Sequence, residues 1–80
     1  MSYINGMNKE TTERVYGVHK GDTIRITRMD DPYSPESYVG REGVVEHIDS
    51  MGQLHGTWGG LAVIPGEDGF TVIKRKGEAV

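Results

Sequence analysis

Apolar and polar residues alternate along several short segments of the chain, which is the pattern of half-buried β-strands. In the first segment Ile24 and Ile26 alternate with Thr23, Arg25 and Thr27, so both isoleucines would point into a core. Segments of four to six residues follow it at Gly43 to Ile48, Leu54 to Trp58, Leu61 to Ile64 and Phe70 to Ile73. The pattern therefore predicts five short strands.

Turns that contain glycine or proline separate these segments. Asp30 to Gly40 contains two prolines and has no apolar periodicity, so it predicts a long loop that presents side chains. Gly59-Gly60 predicts a two-residue hairpin turn, because glycine adopts the positive φ angles that such turns need. Further turns are predicted at Asp49 to Gly52 and at Pro65 to Gly69.

A short helix is predicted before the strands, over residues 9 to 16. Asn8 is a suitable N-cap, Glu10 complements the helix dipole, and Gly17 ends the helix. Val15 and Tyr16 provide a small apolar patch. Because two helical turns are marginal alone in water, we expect this helix to dock on the strands as a lid.

The fold class that these elements favour is mainly β: a small five-stranded SH3-like barrel with a short N-terminal helix. Closure of the barrel would remove the sheet edges that recruit other chains. The predicted domains are a flexible arm over residues 1–8, one barrel domain over residues 9–76 and a tail over residues 77–80. Trp58 either packs in the core or stacks on a ligand. The other predicted core residues are Ile24, Ile26, Val45, Leu54, Val63 and Phe70.

Composition narrows the class of protein. The 80 residues allow one domain, and the 12 glycines fit a turn-rich β protein. The absence of cysteine excludes disulfides and thiolate zinc sites and fits a reducing, cytoplasmic compartment. No apolar run approaches the roughly 20 residues of a membrane span, and the chain does not start like a signal peptide. We expect a cytoplasmic protein without a membrane partner, whose mature form is the whole chain.

Several short motifs occur in a specific order and spacing. They are Glu13 to Tyr16, Gly21 to Arg25, Met29 to Pro32, Gly40 to Val45, Ile48-Asp49 with Gly52, His55 with Trp58, and Pro65 to Asp68. In these segments the chain resembles an uncharacterised family, domain-of-unknown-function family 4314, and the resemblance covers Thr11 to Phe70, about three quarters of the chain. It implies an SH3-like barrel and an origin in phages or conjugative elements of Gram-positive bacteria, and it supplies no established activity.

The sequence lacks the arrangements that carry catalysis. The serines have neither a glycine-flanked nucleophile elbow nor a local histidine, and there is no cysteine. The segment from Gly56 to Gly60 is not a phosphate loop, because no Gly-Lys-Ser/Thr follows it. We therefore expect neither an enzyme nor a cofactor.

Two groups of side chains are candidate metal ligands. His47 and His55 fall on neighbouring predicted strands, where they would face each other near Asp49. Because no ligand spacing motif is present, a solvated cross-strand pair is favoured over a divalent metal site. The acids Asp30, Asp31 and Glu36 lack the ligand alternation of an EF-hand, and Asp before Pro commonly starts a turn. No metal site is predicted.

Charge is distributed unevenly along the chain. The formal net charge is −3 and the pI is about 5.5. From Asp30 to Asp68, eight acids stand against Arg41 alone, a net charge of minus seven. Most basic residues flank the first and last strands, which pair in SH3-like barrels: Lys20, Arg25, Arg28, Lys74, Arg75 and Lys76. The sequence predicts an electrically two-faced molecule, unless both faces serve only solubility.

Two binding functions follow from this charge pattern. The first is protein–protein interaction with a basic partner through the acidic and aromatic loop, for example inhibition of a host (defence) nuclease by occupying its DNA-binding channel. Its residues are Asp30, Asp31, Tyr33, Glu36, Tyr38 and Trp58. The alternative is nucleic-acid binding by a basic seam of Arg25, Arg28, Lys74, Arg75 and Lys76. The acidic pI, and the absence of aromatic residues between these bases, place protein binding first. The identity of the partner, and the choice between monomer and homodimer, stay open.

Overall fold

The computed structural model describes residues 7–30 and 38–77. One helix, α1 (Lys9–Tyr16), precedes five strands: β1 (Thr23–Arg28), β2 (Glu42–Ile48), β3 (Leu54–Gly56), β4 (Gly59–Val63) and β5 (Gly69–Lys74). The strands form one antiparallel sheet in the order β4-β3-β2-β1-β5. The mainly β class and the pairing of the first strand with the last are confirmed.

The core lies on the side of the sheet to which the alternating apolar residues point. Ile24 and Ile26 of β1 are fully buried, while Arg25 between them is exposed. Of the predicted core residues, only Phe70 is half-buried, and it packs against the others. The buried cluster consists of Val18, Ile24, Ile26, Met29, Val45, Ile48, Leu54, Trp58 and Val63.

The predicted closed barrel is wrong, because β4 and β5 are the two edges of the sheet and no ladder joins them in the described part of the chain. In the turn between β4 and β5, the backbone groups form hydrogen bonds within the turn itself. The Ile64 carbonyl accepts hydrogen bonds from the Glu67 and Asp68 amides, and the Ile64 amide donates to the Asp68 carboxylate. Pro65, the next residue, has no N–H to donate. This tight turn leaves few backbone groups with which β4 could continue towards β5.

Helix α1 is present as predicted, and it contacts the β2–β3 turn and β5. Its N-terminal half is held by the fully buried Thr12, whose hydroxyl donates to the Gly52 carbonyl at 2.7 Å in the β2–β3 turn. At its C-terminal end, the Tyr16 ring lies 6.2 Å from that of Phe70 in β5. The predicted apolar patch contributes little beyond Tyr16, since Val15 is 62% exposed.

The ends of α1 follow local rules. The Asn8 side chain accepts a hydrogen bond from the Thr11 amide, and Gly17 adopts a left-handed conformation at φ 66°. The predicted arm over residues 1–8 therefore contains the helix N-cap, and its first six residues lie outside the described part of the chain. Of the predicted C-terminal tail, residues 78–80 likewise lie outside it.

The predicted hairpin turn at Gly59-Gly60 is wrong. Both glycines belong to β4, and the two-residue turn is Thr57-Trp58, since Gly56 pairs with Gly59. The indole of Trp58 folds back over β3, and a Cβ at Gly56 would overlap Trp58 Cζ3 and the Val44 carbonyl. Burial of the largest side chain thus sets the position of the turn, against the preference of the glycine pair.

Candidate functional site

The structure describes three of the six residues predicted to bind a protein: Asp30, Tyr38 and Trp58. Asp31, Tyr33 and Glu36 lie outside the described residues. Trp58 is only 3% exposed, and its indole N–H donates to the Leu61 carbonyl at 2.8 Å. Trp58 is therefore a packing residue, one of the two roles considered for it, and it offers no exposed ring to a partner.

The first end of the long loop is tied to the β4–β5 turn. The Asp30 amide donates to Asp68 Oδ1 at 2.7 Å, and the other carboxylate oxygen of Asp68 accepts from the Ile64 amide at 2.8 Å. Asp68 is only 5% exposed, whereas Asp30 and Glu67 are exposed. One buried carboxylate thus joins the loop to the end of β4 and places two exposed acids nearby.

The second end of the loop is tied to the β3–β4 turn. The Arg41 guanidinium lies 4.2 Å from the centre of the Tyr38 ring and donates to the Trp58 carbonyl at 2.7 Å. Both side chains lie against Gly59, where a Cβ would come within 2.8 Å of the Tyr38 hydroxyl oxygen. A cation–π contact and a charged hydrogen bond therefore fix this end at the start of β4.

The long loop is therefore anchored at both ends of one edge strand. We call Asp30 and Glu67, near the end of β4, together with Tyr38 and Arg41, at its start, the loop base. Arg28 also reaches this region, since its guanidinium donates to the Glu67 carbonyl at 3.1 Å. The loop base combines two exposed carboxylates with a half-buried tyrosine, and the guanidinium groups of Arg28 and Arg41 in the same region donate to carbonyl oxygens.

The predicted basic seam does not form as one surface. Arg25 donates to the Glu42 carboxylate at 2.7 Å on the outer face of the sheet, where β1 pairs with β2. Arg28 lies at the loop base. Only Lys74, Arg75 and Lys76 stay together, beside the start of β1, where Thr23 pairs with Lys74. Register along the antiparallel β1–β5 pair thus divides the bases between two ends.

A buried aspartate organises the basic residues at the start of β1. Asp22 is 2% exposed and accepts hydrogen bonds from the amides of His19 and Lys76, both at 2.9 Å. Arg75 donates to Asp22 and to the Gly17 carbonyl. Burial opposes ionisation of Asp22, but these amides and the guanidinium outweigh it and lower the pKa of Asp22.

Lys20 joins this group, although the sequence did not assign it to the seam. The Lys76 side chain lies against Gly21, where a Cβ would be 2.5 Å from Lys76 Cδ, and Lys20 is the preceding residue. We call Lys20, Lys74, Arg75 and Lys76 the basic end. The sequence indicates only that Lys20 lies in the turn before β1. Its closeness to Lys76 could not be predicted, because the bond between Asp22 and the Lys76 amide brings the two segments together.

Charge is therefore separated along β1 rather than between two faces. The basic end lies at the start of this strand, and Asp30 and Glu67 lie beyond its end. The six residues of β1 place the two groups about 17 Å apart along the strand. The difference in charge between the two ends arises mainly from the four bases at the start of β1, since Arg28 and Arg41 accompany the two acids at its other end.

Asp49 and the two histidines form a local cluster in the β2–β3 hairpin. His47 and His55 are paired residues with ring centres 5.3 Å apart, as predicted, and His55 Nε2 lies 2.8 Å from Asp49 Oδ2. The His55 bond lowers the pKa of Asp49 against the effect of burial, and the amides of Gln53 and Met51 lower it further. The residues that the structure describes contain no group of three side chains arranged to hold a metal ion.

Comparison with known families gives one match. Residues 9–73 match the family described as Domain of unknown function (DUF4314). The chain belongs to this family. No curated protein and no solved structure matches the chain. Among the described residues of this DUF4314 protein, no helix has the length and apolar character needed to span a membrane.

Proposed function

We propose that this protein is a non-enzymatic binding module of a phage or other mobile element, which contacts a basic surface of a partner protein through the loop base. The observation that carries the proposal is the double anchoring of the long loop, by Asp68 at one end and by Arg41 at the other. Loops positioned by a rigid scaffold commonly carry binding residues.

Anchoring favours binding because it reduces the conformational entropy that a partner must overcome. Part of the favourable free energy of association is spent on ordering side chains and loops. Groups that are already held in the free protein therefore bind a partner more tightly than groups that must be ordered. At the loop base, the Asp30 amide and the Tyr38 ring are already held, while the carboxylates of Asp30 and Glu67 face solvent.

The carboxylates of the loop base define the partner, because the guanidinium groups of Arg28 and Arg41 are already bonded to carbonyl oxygens. Exposed carboxylates attract a basic surface and accelerate encounter with it. A DNA-binding channel is a basic surface of this kind, so a host defence nuclease is one partner that the loop base suits. Several acids of the middle segment are used internally, since Asp68 is buried, Glu42 pairs with Arg25 and Asp49 binds His55. Recognition is therefore assigned to the exposed acids of the loop base alone.

The test compares two glutamate substitutions that change the net charge equally. Glu67→Lys alters the loop base, and Glu46→Lys alters an exposed acid of β2. Immobilised wild type and both variants are exposed to a bacterial host lysate, and captured proteins are quantified by mass spectrometry. Affinity for a captured protein is then measured at two salt concentrations. We expect Glu67→Lys to weaken binding about tenfold at low salt and Glu46→Lys to leave it unchanged.

Two results would contradict the proposal. One is equal retention of every captured protein by wild type and Glu67→Lys. The other is a partner that is lost with Glu46→Lys and kept with Glu67→Lys, which would assign binding to the outer face of β2. Thermal unfolding of both variants shows that the comparison is made between folded proteins.

A further inference from the structure

The β2–β3 hairpin brings two imidazoles together on the outer face of the sheet. His47 and His55 are paired across the two strands, and their ring centres are 5.3 Å apart. The next pair along the strands, Ile48 with Leu54, lies in the core, so the two histidines point to the opposite face. His47 is exposed, and the His55 side chain is 42% exposed. Both rings are therefore accessible to a ligand from solvent.

A bulge in β2 turns His47 to this face. Val45 pairs with Gly56 and His47 with His55, so Glu46 is one extra residue in β2. In a regular strand, residues two apart share a face, and His47 would lie in the core beside the fully buried Val45. Bulges interrupt the ladder, re-aim a side chain and are frequent beside functional sites. The interruption of β2 at Glu46 thus creates the pair of imidazoles.

Asp49 fixes the orientation and the tautomer of His55. Asp49 Oδ1 accepts hydrogen bonds from the Met51 and Gln53 amides, both at 2.9 Å, so the turn itself holds the carboxylate. Asp49 Oδ2 lies 2.8 Å from His55 Nε2. Because an ionised carboxylate only accepts, Nε2 of the neutral ring carries the proton and Nδ1 keeps its lone pair. A carboxylate bonded to one ring nitrogen in this way commonly supports a histidine whose other nitrogen binds a metal.

The spacing of the two rings fits one metal ion. Two imidazoles that bind one Zn²⁺ at about 2.1 Å and at a tetrahedral angle have ring centres roughly 5 Å apart. The ring centres of His47 and His55 have this separation. Imidazole nitrogen suits Zn²⁺, Ni²⁺ and Cu²⁺, whereas Mg²⁺ and Ca²⁺ take oxygen ligands. Within the described part of the chain no third side chain is placed as a ligand, so water completes the coordination.

We propose that His47 and His55 bind one divalent transition-metal ion, with Asp49 as the positioning residue of His55. The sequence favours a solvated pair because it contains no ligand spacing motif. The bulge and the bond from Asp49 to His55 are features of the folded hairpin, and they supply the arrangement that a spacing motif would otherwise indicate. The site uses no residue of the loop base, so it is independent of the proposed protein binding.

The test is isothermal titration calorimetry of the untagged chain with ZnCl₂, since a polyhistidine tag would itself bind the metal. We expect one Zn²⁺ per chain. His47→Gln and His55→Gln should each weaken binding at least about tenfold, because each leaves a single imidazole. The matched control, His19→Gln, removes an exposed imidazole outside the hairpin and keeps the backbone bond to Asp22, so it should bind as wild type does. MgCl₂ should give no binding heat.

The role of Asp49 is tested by Asp49→Asn. This variant keeps an oxygen for the Met51 and Gln53 amides, but its amide group can donate to His55 Nε2, which moves the ring proton to Nδ1 and blocks that ligand atom. We expect Zn²⁺ binding about tenfold weaker. Long-range ¹H–¹⁵N NMR reads the tautomer directly. Wild type should show the Nε2–H form of His55 and a shift of Nδ1 with Zn²⁺, whereas a purely structural role of Asp49 would leave the tautomer unchanged in the variant.

Three results would overturn the inference. The first is no Zn²⁺ binding at millimolar concentration, and the second is an equal loss of affinity in His19→Gln. The third is one Zn²⁺ per two chains with Zn²⁺-dependent dimers in sedimentation velocity, which would assign the ion to a contact between copies. Circular dichroism checks that each variant is folded. None of these results bears on Glu67→Lys, so the proposed protein-binding function can fail or hold separately.

Discussion

The two ends of β1 are built in the same way and differ in charge. Each contains a buried aspartate, Asp22 at 2% and Asp68 at 5% exposure, that accepts hydrogen bonds from two backbone amides. Each ties together segments far apart in sequence, by 54 residues for Asp22 with Lys76 and 38 for Asp68 with Asp30. They differ in that Asp22 also binds Arg75, while the described partners of Asp68 are amides.

This difference shows how buried carboxylates set the surface polarity. A carboxylate that recruits a guanidinium gathers a segment rich in bases around itself, as Asp22 does with residues 74–76. A carboxylate satisfied by amides alone gathers no base around itself, as Asp68 shows, since Arg28 nearby donates to the Glu67 carbonyl and not to Asp68. The charge separation therefore rests on two internal side chains more than on the count of surface residues.

The strongest way to break the basic end is Asp22→Ala. It removes the acceptor of the His19 and Lys76 amides together with the partner of Arg75, so we expect a loss of about 3 kcal/mol in the free energy of unfolding. Urea denaturation monitored by Trp58 fluorescence measures it. Glu46→Ala, at an exposed site, should stay within about 0.5 kcal/mol of wild type. A loss below about 1 kcal/mol would show that Asp22 does not organise this end.

Asp68→Ala should have a smaller effect, about 2 kcal/mol, because it removes two amide bonds and no ion pair. Hydrogen exchange of the Asp30 and Ile64 amides should accelerate beyond the change expected from global stability. Exchange at His19 and Lys76 supplies the internal control, since both lie at the other end. A larger loss of unfolding free energy with Asp68→Ala than with Asp22→Ala would show that the Arg75 ion pair does not distinguish the two ends.

The stability of the fold should decrease at acid pH, because the pKa values of Asp22 and Asp49 are lowered in the folded protein. The unfolded chain, with aspartate pKa values near 3.9, takes up protons first as the pH falls. Both groups therefore stabilise the fold fully above about pH 5, and their contribution is lost as the pH falls below about 4. Urea denaturation from pH 7 to pH 3 should show this loss, and Asp22→Asn should flatten the curve. An unchanged curve in that variant would remove Asp22 as a source of the acid sensitivity.

Local signals in the sequence predicted the local elements of this fold. Asn8 and Gly17 mark the ends of α1, and the alternation around Ile24 and Ile26 marks β1, because caps and half-buried strands leave patterns within a few residues. The position of the β3–β4 turn was missed, since burial of Trp58 against Gly56 is a tertiary effect that overrides the preference of Gly59-Gly60.

The candidate site was predicted less well, for the same reason. Counting charges treated Asp68 and Asp49 as surface acids, and no sequence signal shows that each is bonded within a turn. It also placed Arg25 and Arg28 in one seam, although the β1–β5 register sends Arg28 to the loop base and β2 supplies Glu42 to Arg25. The pairing of distant strands decides which charged side chains lie close together. The alternation of apolar and polar residues within one segment carries no information about that pairing.

The smallest predicted effect concerns Arg25, which belongs to neither end. Its ion pair with Glu42 is short at 2.7 Å, but the two side chains are 52% and 47% exposed. Exposed pairs are screened and lose side-chain entropy, so a double-mutant cycle of Arg25→Ala and Glu42→Ala should give a coupling energy of about 0.5 kcal/mol. The same cycle in 1 M NaCl should approach zero. A coupling above about 2 kcal/mol that survives salt would mean that the outer face of the sheet, and not only its two ends, is organised by charge.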